Sequence, residues 1–264
     1  MNHLRPPSWR SLFIHWGQLG TSRLENSGSN GVYSARALPF VAAGGGRLMV
    51  DENMPPEQHR ALMESMPPEH RALAELHNAL LSELTAEIRT VVRGKAGKEL
   101  SQSERRMFIR VSFATIEALI FVMKQIALAA HPDPKCPTIS EAERAFAMEQ
   151  DFKLTSSGDV ERRAAKIPLE TNIRFAFRLL AKASNAPTVL DVSGTEWRSL
   201  LRAIKVRDRI THPKNISNLT ISDEELSDVV IGFKWVLTSR IKLGNDVRQI
   251  AILREQSETP STNE

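Results

Sequence analysis

Apolar residues recur at three- and four-residue steps along most of the chain after residue 69, which is the periodicity of amphipathic helices. The first such stripe predicts a long helix from Glu69 to Arg93, which the glycines at positions 94 and 97 end. The stripe comprises Leu73, Leu76, Leu80, Leu84, Ile88 and Val91. His77 stands one position beyond the stripe residue Leu76, so we expect its side chain on the surface.

The most apolar predicted helix begins at a capping box formed by Ser101 and Glu104 and runs to about residue 130. Its composition predicts the central helix of a bundle. Arg110, Glu117 and Lys124 recur every seven residues on one side of it. Polar groups on so apolar a helix need partners. They therefore line a functional cleft or face solvent; we expect Lys124 in solvent and leave both places open for Glu117.

Weaker patterns follow the central helix. Thr138 and Glu141 predict the cap of a short helix that reaches about residue 150. Residues 152–167 have no helical stripe, and the run Thr155-Ser156-Ser157-Gly158-Asp159 is a turn signal. This stretch therefore predicts a small hairpin or a loop.

Three more helices are predicted in the last part of the chain. Pro168 starts one that ends near Asn185, and a capping box at Ser193 and Glu196 starts the next. That helix must stop before Pro213, because proline lacks an N–H and clashes with the preceding turn. The last main helix follows a capping box at residues 222–225, and residues 247–253 are expected to add a turn.

Residues 1–53 differ from the rest, because they lack helical periodicity and contain the runs Asn26-Ser27-Gly28-Ser29-Asn30-Gly31 and Gly44-Gly45-Gly46. We expect a disordered extension. A purine-rich ribosome-binding sequence can encode Gly45-Gly46-Arg47, which raises the hypothesis that residues 1–48 precede the native start, at Met49 or Met54. The remaining organisation is a helical arm over 54–99 with a repeated Met-Pro-Pro-Glu, a helical domain over 100–253, and a disordered tail over 254–264.

Composition favours an all-α fold. The chain is 41% hydrophobic, which suffices for a core, and only 6% aromatic, which argues against an all-β fold. The single cysteine, Cys136, excludes an internal disulfide and a cysteine-rich zinc site, and it fits a reducing cytoplasm. The longest apolar run, near residues 116–122, is too short for a membrane helix, so no membrane is expected.

Charge is unevenly distributed, although the net charge is only +4. Between Arg198 and Lys214, six basic residues oppose the single acid Asp208, a surplus of five. Such a surplus suits a polyanion, and equally a solvated helix face. No phosphate-binding loop, zinc helix or nucleophile elbow is present, and the histidines are scattered. We therefore predict no metal and no cofactor.

One group of residues, at the end of the helix before Pro213, suggests a catalytic site. Arg207 offers a permanently charged fork suited to phosphate, and His212 offers a titratable imidazole at the end of the same helix. On a continuing helix, Asp208 would be the i,i+4 neighbour of His212 and could orient its ring. These groups suit cleavage of an RNA phosphodiester without a metal. The alternative is an exposed basic helix end, where cations meet the negative end of the helix dipole.

The spacing from Arg207 to His212 resembles the R-x4-6-H motif of the HEPN superfamily, in which a polar residue directly follows the arginine. The pattern also matches residues 10–15 and 71–77. The acid at 208, the helix end and the following helix favour the third match. The resemblance covers residues 100–264 and implies a HEPN-like helical bundle. Many members are metal-independent ribonucleases, including toxin and host-defence enzymes.

The resemblance implies roles for several residues. His212 would be the general base or acid, Arg207 would stabilise charge on the phosphate, and Asp208 would orient His212 or hold the helix end. RNA phosphates would be bound by Lys214, Arg209 and Asn215. HEPN enzymes often place a polar residue from an early helix near the motif, and Glu117 is the candidate here.

HEPN ribonucleases usually form homodimers in which two motifs face each other, so the resemblance implies a composite site, and an antitoxin or partner protein is compatible with it. One alternative is a non-catalytic helical module that binds a nucleotide or a protein, for which the leucine-striped arm is suited. Another is non-specific nucleic-acid binding through the basic helix.

Overall fold

A computed structural model describes residues 64, 68–92, 100–130, 137–187 and 190–258. Of these residues 75% are helical, which confirms the predicted all-α class. The predicted N-terminal extension (1–53), most of the Met-Pro-Pro-Glu repeat, and residues 259–264 of the predicted tail lie outside the described residues.

The described chain contains helices and one hairpin in the order α1, α2, α3, β1, β2, α4, α5, α6. Their bounds are α1 Pro68–Val92, α2 Gln102–Ala130, α3 Glu141–Ala147, β1 Gln150–Leu154, β2 Val160–Ala164, α4 Leu169–Ser184, α5 Thr195–Thr211 and α6 Asp223–Glu258. A 3₁₀ turn, Ile216–Leu219, connects α5 to α6.

Helix α2 forms the centre of the bundle, as its composition predicts. It packs against α1 and α4 most extensively, and also against α5 and α6. By length and composition alone α2 could cross a membrane, but 61% of its apolar window is buried inside the protein. Such burial is consistent with the core helix of a soluble protein.

Helix α1 confirms the long predicted helix, and most of its predicted stripe packs on the core, but in the first half of the helix the buried face is shifted by one position. Leu81, Ile88 and Val91 are buried, whereas Leu76 is 43% exposed. The expected surface position of His77 is wrong, because its side chain is only 1% exposed. His77 stands four residues before Leu81, so it shares the buried face, and its Nε2 lies 3.2 Å from Nη2 of Arg240 on α6. The helix predicted as an arm thus packs against the bundle through α2.

Two predicted helix caps are confirmed in detail. At α2, the Ser101 N–H donates to Glu104 Oε2 at 2.8 Å, and the Glu104 N–H donates back to Ser101 Oγ at 3.4 Å. At α6, Ser222 and Glu225 exchange the same two bonds. Helix α6 then continues without interruption to Glu258, past the expected end at 253.

Two other predicted caps are wrong by one or two positions. The cap of α3 is Ser140 with Glu143, rather than Thr138 with Glu141, and α3 ends at Ala147. The cap of α5 is Gly194, which makes no side-chain cap bond. Ser193 lies one position earlier, where its N–H and hydroxyl both donate to the Asp191 carboxylate.

The stretch without helical periodicity is a β-hairpin, which confirms one of the two structures predicted for it. β1 and β2 pair in antiparallel register from Gln150 opposite Ala164 to Leu154 opposite Val160. Gly158 has φ 86° at the turn, a conformation that glycine adopts without a steric penalty. Before β1, Glu149 has φ 56°, which turns the chain out of α3.

A close contact with α6 determines the position of α5, the helix that carries Arg207 and is capped by His212. Helices α5 and α6 form the most extensive pair of described elements. At Gly232 of α6, a Cβ atom would lie only 2.8 Å from Leu200 Cα of α5, so the two backbones approach as closely as glycine allows. Trp197 and Trp235 extend this contact, with ring centroids 5.5 Å apart.

Candidate functional site

The motif lies at the last turn of α5, where the helix ends as Pro213 predicts. His212 is the C-terminal cap, with φ −123° and ψ 62°, and its backbone N–H donates to Asp208 O at 3.0 Å. The His212 side chain is exposed. Its imidazole makes no hydrogen bond with the described residues, so its ring is available to an external group.

Arg207 lies one turn earlier and is held by two carboxylates. Its Nη1 donates to Asp208 Oδ1 at 3.0 Å, and its Nη2 donates to Glu117 Oε1 of α2. The Arg207 side chain is 31% exposed, so the guanidinium remains accessible from one side. The structure thus brings Glu117 to the motif, which is one of the two places left open for it.

Asp208 does not orient the imidazole through its carboxylate in this structure. Its carboxylate accepts from Arg207, whereas only its backbone oxygen reaches His212. His212 keeps the helical backbone bond to Asp208 O, but its own dihedral angles are no longer helical, so the side-chain arrangement expected on a continuing helix does not form. Asp208 therefore fixes Arg207 and the helix end.

Basic side chains from α2 lie along the segment that follows α5. Arg110 Nη2 donates to Ile210 O at 3.5 Å, and Arg106 Nη1 donates to Leu219 O at 2.9 Å. Neither guanidinium forms an ion pair within the described residues, and the side chain of Lys214 is exposed. We call Arg106, Arg110 and Lys214 the basic strip.

Sequence reasoning noted Arg110 only for its heptad relation to Glu117 and missed Arg106. The available signal was the helical spacing from Arg106 to Arg110, since residues four apart share one helix face.

Two residues predicted to bind phosphate make contacts within the fold. Arg209 Nη2 donates to Glu225 Oε1 at 2.7 Å, and its Nη1 donates to Thr220 O at 3.1 Å, which ties α5 to the start of α6. Asn215 Oδ1 accepts from the Asn218 N–H at 3.1 Å and caps the 3₁₀ turn. Phosphate binding by Lys214, Arg209 and Asn215 stays a prediction.

An open cleft of about 840 Å³ adjoins Arg207. Its motif side is formed by Arg207, Asp208 and Glu117, and its far side by the start of α4 and the segment before it. The other lining residues are Leu80, Ala118, Phe121, Glu149, Ala165, Ile167, Pro168, Leu169, Glu170, Asn172 and Ile204. The cleft thus combines apolar walls with several carboxylates.

The expectation that Lys124 faces solvent is wrong. Its side chain is 0% exposed, and its Nζ donates to Glu149 Oε1 at 2.8 Å and to Asn172 Oδ1 at 3.3 Å. The heptad face of α2 that carries Glu117 points toward the motif and the cleft. Lys124 lies two turns further along the same face and is covered by the chain around Glu149 and by α4.

No family model matches the chain, and no curated protein or solved structure matches it. The function must therefore be argued from the geometry of the site. That geometry brings together an arginine held by two acids, an exposed histidine one turn later, and a row of cations that have no acidic partner among the described residues.

Proposed function

We propose that this chain is a metal-independent endoribonuclease of the HEPN type, with Arg207 and His212 as its catalytic residues. The observation that carries the proposal is the position of these two groups at one helix end. Arg207 is fixed by Glu117 and Asp208, and the exposed imidazole of His212 follows one turn later beside the basic strip.

The reaction requires one base and one stabilising cation. His212 accepts the proton of an RNA 2′-hydroxyl, the 2′-oxygen attacks the adjacent phosphorus, and the bond from phosphorus to the 5′-oxygen breaks. The leaving oxygen takes up a proton, which gives a 5′-hydroxyl end and a 2′,3′-cyclic phosphate end. Arg207 stabilises the charge that develops on the non-bridging phosphate oxygens.

The basic strip is suited to hold the RNA backbone across the reacting phosphate. Arg106 and Arg110 project from α2 beside residues 210–219, and each keeps its charge without an acidic partner in the described chain. Cations of this kind bind phosphates independently of sequence, and their contribution falls as salt concentration rises.

A second copy of the chain would complete the site. The imidazole of His212 has no hydrogen-bond partner in the described chain, so one protomer does not orient it. In the proposed homodimer two motifs face each other, and the second His212 supplies the proton to the leaving oxygen. A cytoplasmic toxin or defence enzyme, controlled by an antitoxin or another partner protein, is the setting that this proposal implies.

One observation favours a second candidate function, a non-catalytic module that binds a nucleotide or a protein. Arg207 already has two carboxylate partners, so a phosphate must compete with Glu117 and Asp208 for the guanidinium. If these ion pairs persist in the complex, RNA binds along the basic strip without being cut. Cleavage assays separate the two functions.

The test is incubation of purified protein with a mixed RNA ladder in EDTA. Wild type should cut RNA and leave single-stranded DNA intact, because DNA lacks the 2′-hydroxyl. His212→Ala and Arg207→Ala should abolish cutting, and end analysis should show 2′,3′-cyclic phosphates. Arg198→Ala is the matched control, since Arg198 lies exposed on the same helix away from the motif turn. Absence of cutting by folded, dimeric wild type would favour the binding module.

A further inference from the structure

We propose that the cleft beside Arg207 binds a guanine base of the RNA, and that Glu170 is the residue that recognises it. This inference rests on the proposed function, because RNA is taken as the ligand, and it names the sequence preference of that site. The cleft and the basic strip meet at the end of α5, so one strand can place its phosphates on the strip and a base in the cleft.

The size and walls of the cleft suit a nucleobase. Its volume of about 840 Å³ lies within the range of ligand-binding pockets. Phe121 is an aromatic lining residue that stays 39% exposed on the central helix of the bundle, and Leu80 and Ile167 add apolar surface. Single-stranded RNA is commonly bound by stacking its bases on such side chains.

Most polar groups of the cleft already have partners. Glu117 and Asp208 accept from Arg207, and Glu149 accepts from the buried Lys124. Glu170, in the first turn of α4, is the one lining carboxylate with no hydrogen bond or ion pair within the described residues. Its oxygens are therefore free to accept from a ligand.

The local charge disfavours a phosphate at the Glu170 side of the cleft, away from Arg207. Four lining carboxylates (117, 149, 170 and 208) stand against one lining cation, Arg207, and the buried Lys124 that pairs with Glu149, so negative charge is in excess. A phosphate would be repelled at Glu170, whereas a group with N–H donors would be attracted. The backbone of the RNA thus stays on the strip while a base turns inward.

Guanine matches a free carboxylate better than the other bases do. Its Watson–Crick edge presents two adjacent donors, N1–H and N2–H, which pair with the two oxygens of one carboxylate. Adenine and cytosine present one amino donor beside a ring acceptor that a carboxylate repels. Uracil presents a single N–H between two carbonyl oxygens. Glu170 should therefore select guanine.

The experiment measures binding by fluorescence anisotropy, with the His212→Ala protein so that the RNA stays intact. The probes are five short oligouridylates that differ only in the central nucleotide, which is guanosine, inosine, adenosine, cytidine or uridine. The guanosine RNA should bind about tenfold more tightly than the uridine RNA, as expected for one bidentate base contact. Inosine lacks the 2-amino group and should lose most of that gain. Glu170→Gln should remove the preference, and Glu161→Gln, on the exposed strand β2, should retain it.

The outcomes separate this inference from the proposed function. Cleavage by wild type at all bases, with equal affinities for the five RNAs, overturns guanine recognition and leaves the ribonuclease standing. Guanine-selective binding that Glu170→Gln abolishes, without cleavage by wild type, supports the inference and overturns the ribonuclease. If an arginine-rich peptide binds instead, and Glu170→Gln weakens it while RNA affinity is unchanged, the cleft takes a protein cation and the inference fails.

Discussion

Replacing Gly232 with alanine tests the close approach that places the motif helix, because two effects of opposite sign compete. In a helix interior, alanine is favoured over glycine by about 1 kcal/mol. The added Cβ, however, would lie 2.8 Å from Leu200 Cα, 3.0 Å from Leu200 Cβ and 3.1 Å from Leu200 N. Carbon atoms in contact prefer about 3.5–4.0 Å. The helices must therefore separate by roughly half an ångström or more.

The steric effect should exceed the propensity gain. Overpacking of a well-packed contact costs about 1–3 kcal/mol, and the upper part of that range applies because the obstacle at Leu200 is backbone rather than a flexible side chain. Subtracting about 1 kcal/mol of helix propensity leaves a net loss of about 1–2 kcal/mol in the free energy of unfolding. Gly232→Ser should be at least as destabilising, because its side chain is larger.

Urea unfolding followed by circular dichroism measures this change as a shift in the midpoint at constant slope. Lys234 is exposed two residues further along α6, so Lys234→Ala compared with Lys234→Gly measures the propensity effect alone in the same helix. If Gly232→Ala instead raises stability by the difference measured at Lys234, the helices are not in contact at Leu200. The placement of α5 would then need another explanation.

Three further perturbations follow from individual contacts. Glu149→Ala should destabilise the fold by about 2–4 kcal/mol in urea unfolding, because it leaves the fully buried ammonium of Lys124 without its carboxylate, whereas Lys124→Met removes the charge and should cost about 1 kcal/mol or less. Arg110→Ala should weaken RNA binding at every sequence and reduce the slope of log affinity against log salt by about 0.7, the value for one phosphate contact on a single strand. Burial raises the pKa of Glu143, but the hydrogen bonds from Lys182 and Ser140 outweigh it and hold that pKa below its ordinary value of 4.5. Stability from this carboxylate is therefore present above pH 4.5 and lost as the pH falls through the lower, folded value, and Lys182→Met should reduce that loss in unfolding measured against pH.

Each of these three predictions has its own control. For the buried pair, the double variant Lys124→Met with Glu149→Ala should be more stable than Glu149→Ala alone; an equal or lower stability would mean that the ammonium has another stabilising partner. For RNA binding, Arg198→Ala should leave the salt slope unchanged, and an equal loss at both arginines would indicate a diffuse charge effect. For the acid-dependent stability, unchanged pH dependence in Lys182→Met would refute the role of that ion pair.

The residue pattern by itself determined the parts of the fold that depend on local contacts. The helix caps at Ser101 and Ser222 involve partners three residues away, so a few residues of sequence contain the whole interaction. The end of α5 before Pro213 has the same local cause, because proline cannot continue a helix. The central position of α2 follows from its apolar composition, since so apolar a helix must be covered on most sides.

Where the sequence is compatible with two helix caps or two buried helix faces, the packing of the helices determined which one forms. Thr138 with Glu141 and Ser140 with Glu143 both fit a capping box, and the structure uses the second. His77 illustrates the same limit. The leucine stripe of α1 is wide enough for two neighbouring faces, and contact with the bundle selected the face that includes His77 and Leu81.

The candidate site shows the same difference between local contacts, which the sequence predicts, and contacts between distant residues, which it does not. The spacing of Arg207 and His212 on one helix end was readable from sequence, because both belong to one local element. Glu117 meets Arg207 across 90 residues, and Lys124 meets Glu149 and Asn172 across 25 and 48 residues. The energy of such pairs depends on where separate helices pack, and sequence spacing does not contain that information. Only the tertiary structure could therefore decide which carboxylates bind Arg207 and Lys124, and that Glu170 lines the cleft without a partner in the described part of the chain.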